Sequence, residues 1–332
     1  MIAQDFNCAR YRRSQTAGHY ESYFFRANHP KRPEAFWIRY TIFNPVGRPH
    51  DAIGEVWAVI FDGEAGHHLV AKSEAPIERC EFSTQRFSVR VDDSFAERGL
   101  LRGRAASSSD AIVAWDLAYH GDAPPVFDLP IERYDAGFPK AKALVGLPMS
   151  SFSGTLSLNG RSQTIKEWVG SQNHNWGPRH TDRYAWGQVC GFDNAPDSFL
   201  EIVSAKIKIG PIWSPLITRL VMRHGGREYA LNSIWKGLRA SASYDYFLWR
   251  FATKDRRIQI EGEIRAPREA FVGLNYFNPP GGVKTCLNSK IATCHIRLTN
   301  LESDRTEILQ TESRAAFEIL TDDAIHKVEI RA

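Results

Sequence analysis

The stretch Tyr184-Ala-Trp-Gly-Gln-Val-Cys-Gly-Phe192 reads as a strand on its own. Large side chains (Tyr184, Trp186, Gln188, Cys190, Phe192) alternate with small ones (Ala185, Gly187, Val189, Gly191), and a period of two is the pattern of a β-strand. One face is an aromatic wall with an amide and a thiol set into it, while the other lets a backbone or a neighbouring sheet come close. Just upstream lies Trp168-Val-Gly-Ser-Gln-Asn-His-Asn-Trp-Gly-Pro-Arg-His180, where Gln172, His174 and Trp176 share one face and Asn173 and Asn175 the opposite one. Polar groups crowded among aromatics need partners when buried. They either cap the backbone of a core turn or line a small-molecule pocket with a few oriented polar groups.

The same period recurs outward from this stretch. Residues 19–25 and 36–43 are rich in aromatic and β-branched residues and flank a turn with two prolines at 28–33. Residues 53–62 place Ile53, Glu55, Trp57, Val59 and Phe61 in phase, and Asn159-Gly160 between strand-like runs is a hairpin signal. Further strands are expected at 82–91, 111–119, 198–209, 228–236, 245–252, 257–264 and 291–298, with two more in 305–330. Residues 98–104 and 107–110 read as a turn-rich connection. Many short strands with frequent turns argue for an all-β fold of sandwich or barrel type, and a small barrel can hold one ligand. Five prolines between 122 and 149 suggest a connection between two halves, an N-terminal one of 1–150 and a C-terminal one of 151–332. An echo of Trp57-Ala-Val-Ile-Phe-Asp62 in Trp186-Gly-Gln-Val-Cys-Gly-Phe-Asp193 suggests that the halves are related. Alternation also makes Glu21 and Arg39 expected ion-pair partners.

Composition excludes several classes. The 332 residues are 43% hydrophobic and 24% charged, as in a globular protein with an ample core. The net charge of +4 is spread without a basic block, so nucleic-acid binding is not expected. The first 18 residues read as a polar arm without the basic-then-apolar pattern of a leader, and no apolar run approaches a membrane span. A cytoplasmic protein without stable membrane insertion is expected. Five scattered cysteines fit reduced thiols, and Cys286 and Cys294 lack the spacing and histidines of a metal site. Phosphate loops, nucleotide fingerprints and nucleophilic triads are missing, so no cofactor is expected.

Glu21-Ser-Tyr-Phe-Phe-Arg26, Trp37-Ile-Arg-Tyr40, Asn173-His-Asn-Trp-Gly177 with Trp186, and the segment around Gly281 and Cys286 resemble the AttH-like and tocopherol cyclase-like group, which includes the carotenoid 1,2-hydratases. The resemblance implies two lipocalin-like antiparallel β-barrel or sandwich domains in tandem. It also implies a cavity for hydrophobic, isoprenoid or polyketide-like molecules, and protonation of an alkene followed by hydration or ring closure. The hydratases read Asp-His-x-Trp-Gly where this chain reads Asn173-His-Asn-Trp-Gly, so an aspartate acid does not carry over. For such chemistry Glu201, alone among apolar residues on its face, is the first candidate proton donor. Glu55 is the second, either at a wet strand end or inside as a neutral acid. His174 is the third, either a general acid–base or a core histidine holding a turn. Trp176, Tyr184 and Trp186 would form a wall suited to carbocation character, and Asn173, Asn175 and Gln188 would orient a carbonyl or hydroxyl. A non-catalytic lipid or isoprenoid carrier of the same architecture is the rival reading, and a carbohydrate-binding β-sandwich a third.

Overall fold

The computed structural model describes residues 6–107 and 111–332, so the readings made of residues 1–5 and of Ser108–Asp110 lie outside the described residues. The first twelve strands are β1 His19–Asn28, β2 Glu34–Asn44, β3 Ile53–Asp62, β4 His67–Pro76, β5 Cys80–Phe82, β6 Ser88–Val91, β7 Ser94–Glu97, β8 Leu100–Ala106, β9 Ile112–His120, β10 Val126–Phe127, β11 Lys142–Leu158 and β12 Arg161–Gly177. They form one antiparallel sheet in the order β4-β3-β2-β1-β12-β11-β9-β8-β7-β6-β5, with β10 added to β11. The next twelve are β13 Arg183–Cys190, β14 Phe199–Lys206, β15 Lys208–Ile209, β16 Ile212–Trp213, β17 Ile217–His224, β18 Arg227–Leu231, β19 Ser241–Asp245, β20 Leu248–Lys254, β21 Ile258–Arg265, β22 Val272–Phe277, β23 Val283–Asn300 and β24 Arg305–Thr321. Apart from the β15–β16 ribbon, they make a second sheet, β18-β17-β14-β13-β24-β23-β21-β20-β19, with β22 added to β23.

The two sheets repeat one topology: the first strand of each lies between its second strand and its last. By that correspondence β13 matches β1. The sequence echo between Trp57 on β3 and Trp186 on β13 is therefore a coincidence of composition. The sheets divide between Gly177 and Arg183, later than a division at 150, which falls inside β11. The proline-rich segment does not join the halves but belongs to the first sheet, with β10 paired to β11. Residues 100–104 of the supposed turn-rich connection belong to the strand β8, and residues 234–239 form a short helix, α1, capped by Ser233. The Asn159-Gly160 hairpin forms with both residues at positive φ (50° and 84°), joining Leu158 to Arg161.

The first sheet curls into a nearly closed barrel. Ser73 Oγ on β4 accepts from Ala106 N on β8 at 2.9 Å, helping to close it. Its interior is filled by Phe25, Phe36, Tyr40, Trp115, Phe152 and Trp168, each at most 2% exposed. Burying one such ring contributes about 2–3 kcal/mol, and a ligand in their place would forfeit that. The barrel interior is thus a core, and the expectation of a ligand inside a barrel is corrected. The second sheet encloses its own core around Trp249, Phe251, Ile264 and Phe317. The small face of β13 turns toward it: a Cβ on Gly187 would lie 2.4 Å from Ile264 Cδ1.

The outward faces of β1, β2 and β3 pack against the outward faces of β13, β14, β22, β23 and β24, with Phe24, Trp37 and Trp57 in one buried cluster with Trp186 and Tyr276. Gly170 holds β12 tightly against β1, since a Cβ there would stand 1.8 Å from the Arg26 carbonyl oxygen and 2.6 Å from Ala27 Cα. Those are backbone atoms that cannot swing aside. Gly170→Ala is expected to destabilise the protein by roughly 3 kcal/mol or more, read as a lowered urea midpoint; an unchanged midpoint would contradict this packing.

Candidate functional site

Alternation along β1, β2 and β12 decides what meets at the junction of the sheets. Ser22, Phe24 and Arg26 oppose Asn175, Asn173 and Ser171 across the β1–β12 ladder, and Thr41, Arg39 and Trp37 across the β1–β2 ladder. These residues project out of the first barrel. Glu21, Tyr23 and Phe25, with Trp176, His174 and Gln172, project the other way. Between the outer face and the second sheet lies a cleft of about 810 Å³ counted out to its mouth, with about 110 Å³ of free space between its walls. Phe24, Trp37, Tyr184, Trp186 and Tyr276 line it, and Asn173, Asn175, Arg39, His180, Asp128 and Glu201 set polar groups into it.

Glu201 is 4% exposed, and no cation sits on it among the described residues. Trp186 Nε1 donates to its Oε1 at 2.6 Å and Gln188 Nε2 to its Oε2 at 2.8 Å. Burial pushes its carboxyl well above the usual range and the charge of Asp128 adds to this, while Trp186, Gln188 and Arg26 pull the other way. Asp128 is likewise raised by burial to about 6, opposed by Arg219. Two carboxyl groups that disfavour each other's charge share this cleft, an arrangement that keeps one of them protonated near neutral pH. Each Glu201 oxygen retains a second lone-pair direction, so a proton can be carried there without breaking either hydrogen bond.

The acid is held by a polar network that spans the two sheets. Gln188 Nε2 also donates to Asn173 Oδ1 at 2.8 Å, while its Oε1 accepts from Arg26 Nε at 2.9 Å and Ser171 Oγ at 2.7 Å. Asn173 Nδ2 donates to Ser171 Oγ at 2.9 Å. Arg26 continues to Asn28, whose amide donates to the Lys290 carbonyl, and Lys290 Nζ meets Glu318 at 2.7 Å. Buried amides with both ends occupied are fixed in orientation, so Gln188 and Asn173 hold Glu201 in place.

Of the sequence candidates, Asn173, Asn175, Tyr184, Trp186 and Glu201 come together at the cleft, with Gln188 directly behind. His174 borders it through its position on β12, but its ring turns into the first barrel. There it stacks on Tyr23 (centroids 4.0 Å apart) and donates through Nε2 to Glu21 Oε1 at 2.7 Å. Burial lowers its pKa, while the hydrogen bond to Glu21 and the Glu21 charge oppose that shift. Trp176 also faces away from the cleft, in a cluster with Phe6, Leu129, Tyr134 and Leu144. Glu55 lies off the main cleft, tied to Lys72 at 2.7 Å and to Trp57 Nε1 at 3.2 Å. The expected Glu21–Arg39 pair does not form, because the two side chains leave opposite faces of the ladder. Glu21 instead accepts from His174, His19 and the backbone N–H groups of Arg10 and Tyr11. Sequence reading missed Asp128, which sits in a loop without periodicity, and Arg39 and His180 as cleft residues. Burial drives His180 down to about 3, with the Arg39 and Lys284 charges adding to the effect, so it is neutral where it stacks on Tyr20.

No protein-family model matches the chain. An uncharacterized protein of Mycobacterium tuberculosis, found in two strains, is 24% identical over 204 residues, 60% of this chain. The match spans 58% of those curated relatives. Among solved structures, a protein provisionally named AttH from Nitrosomonas europaea superposes with a TM-score of 0.59 at 14% identity, covering 97% of this chain and 96% of that one. The chain has the AttH-like fold. Kievitone hydratase from Nectria haematococca shares the AttH-like fold (TM-score 0.56, 10% identity, 92% and 89% of the two chains). So does CghA (0.54, 10%, 93% and 90%). At these identities the likeness is one of fold. Among the described residues no helix is long and apolar enough to cross a membrane, and all five cysteines are buried.

Proposed function

We propose that this protein binds a hydrophobic alkene-bearing small molecule, of isoprenoid or polyketide type, in the cleft between its two sheets and catalyses hydration or cyclisation of it without a redox cofactor. The observation that carries this reading is Glu201: a buried carboxyl with no cationic partner among the described residues, pushed toward its neutral form and walled by aromatic rings. One solved structure of the same fold is a hydratase by name, which supports the reaction class.

In the proposed reaction the Glu201 proton transfers to one alkene carbon, and the π-electron pair forms the new C–H bond. The adjacent carbon gains positive character, which the faces of Trp186, Trp37 and Phe24 stabilise in a site that admits little water. A hydroxyl of the substrate or a water molecule then attacks that carbon and gives up its proton. The Glu201 carboxylate, or Asp128 in the same cleft, takes that proton back. Gln188 and Asn173 keep the acid oriented throughout.

Incubation with isoprenoid and polyketide alkenes in deuterated water tests the proposal. Protonation at carbon leaves one deuterium on carbon that does not wash out in ordinary water, and mass spectrometry of the product reads it. Bound ligand recovered without carbon-bound deuterium would favour the carrier reading and end this one.

A further inference from the structure

The cleft contains a second chemical feature that proton donation by Glu201 does not use. Arg39 is 4% exposed and lines the cleft. Its Nη2 donates to Ser22 Oγ at 2.7 Å, and its guanidinium lies 4.4 Å from the Tyr276 ring centroid. Its Nε has no hydrogen-bond partner among the described residues. Among the described residues no carboxylate pairs with it. The two nearby acids whose charges it feels are already engaged, Glu55 with Lys72 and Glu318 with Lys290, each at 2.7 Å. His180 beside it is neutral and adds no counter-charge. Two residues earlier on the same face of β2, Trp37 Nε1 is another buried donor without a partner among the described residues, and Asn175 Oδ1 is a buried acceptor likewise without one.

A buried guanidinium is ordinarily paired, because removing it from water is unfavourable unless an opposite charge or full hydrogen bonding offsets the loss. A serine hydroxyl and an aromatic face offset part of this, and an oxygen anion on the remaining N–H groups would complete it. Unpartnered donors converging on a cavity are groups that a ligand satisfies.

We propose that the cleft selects an amphipathic acid: an ionised oxygen of the ligand, such as a carboxylate, docks on Arg39 and accepts from Trp37 Nε1, with the hydrocarbon part running past Phe24 toward Glu201. Arg39 and Asn173 stand in one row on either side of Phe24. Two strand spacings separate them by roughly 10 Å, so the reactive carbon would lie up to that distance from the anionic oxygen. This inference rests on the reading of the cleft as the ligand site, and it adds the polarity of the ligand and the residue that reads it.

The test is calorimetric titration at pH 7 and low salt of farnesoic acid and 4-hydroxybenzoate, each against its methyl ester. At least one acid is expected to bind about tenfold or more tightly than its ester, with the preference falling below about threefold in R39Q while ester affinity is retained. Trp37→Phe removes only the indole N–H and is expected to reduce the preference by about threefold. It alone decides the matter if R39Q fails to fold. Binding of neither acid, equal affinity for acid and ester, or a preference untouched by both variants would overturn the inference. A wild-type protein that shows no acid preference but still transfers deuterium would sink this inference alone. Acid-selective binding without deuterium transfer would sink the proposed reaction instead.

Discussion

Replacing Glu201 with glutamine is expected to lower turnover by about 10²–10⁴-fold, the usual worth of a positioned general acid, while ligand affinity changes little. The amide has the same shape but cannot release a proton at neutral pH. It also presents an NH₂ toward one of two donors, Trp186 Nε1 or Gln188 Nε2. That conflict costs about 1–3 kcal/mol of stability, so urea denaturation must accompany the kinetics. Retained turnover in a folded E201Q would remove Glu201 from the reaction. The pH profile gives a second readout. Burial, with the Asp128 charge adding to it, raises Glu201; activity should therefore hold on the acid side and fall as pH rises through that raised value. Asp128→Asn removes the charge while leaving the burial, and should move the alkaline limb to lower pH. An unmoved limb would show that the two carboxyls do not communicate.

Glu21→Ala should cost about 3–5 kcal/mol, the range for removing one partner of a buried charged cluster. The fully buried carboxylate is the common acceptor for His174, His19 and the backbone of Arg10 and Tyr11, so its loss unties the N-terminal arm from the barrel and orphans several donors at once. Burial alone would raise this carboxyl, but the hydrogen bonds and charges of His174 and His19 outweigh burial and bring it to about 2, against an ordinary value of 4.5. Between those values the unfolded chain binds the proton and the folded one does not. Its stabilising contribution is therefore complete above the ordinary value and is lost as pH falls from there through about 2. Thermal melts of wild type and Glu21→Gln between pH 3 and 7 should show the wild type losing its advantage toward pH 3. A gap that stays constant over that range would contradict the assignment.

The position of Glu21 shows why one part of the site was legible and another was not. Alternation along one strand identifies which residues share a face, and it grouped Tyr184, Trp186 and Gln188 correctly and singled out Glu201. It does not say which face of one strand continues onto which face of the next. Glu21 and Arg39 lie on adjacent strands, and a shift of one residue in pairing sends them to opposite sides of the wall. The same ambiguity placed His174 and Trp176 with Asn173 and Asn175 near one pocket, whereas the β12 backbone separates the two pairs. Asp128 had no pattern to betray it, because loop residues carry no period.

What the sequence determined by itself was therefore local: strands wherever side chains alternate, the Asn159-Gly160 turn, the small face of β13, and Glu201 as a carboxyl on an apolar face. Each follows from interactions among residues close in the chain. Tertiary structure alone decided that the barrel interior is solid, that the cleft lies between two outer walls, and that Glu201 shares it with Asp128 while Arg39 has no counter-ion among the described residues. Those outcomes depend on how two sheets made from distant segments pack against each other, and on the burial that packing imposes on charges. No periodicity in the chain encodes that burial.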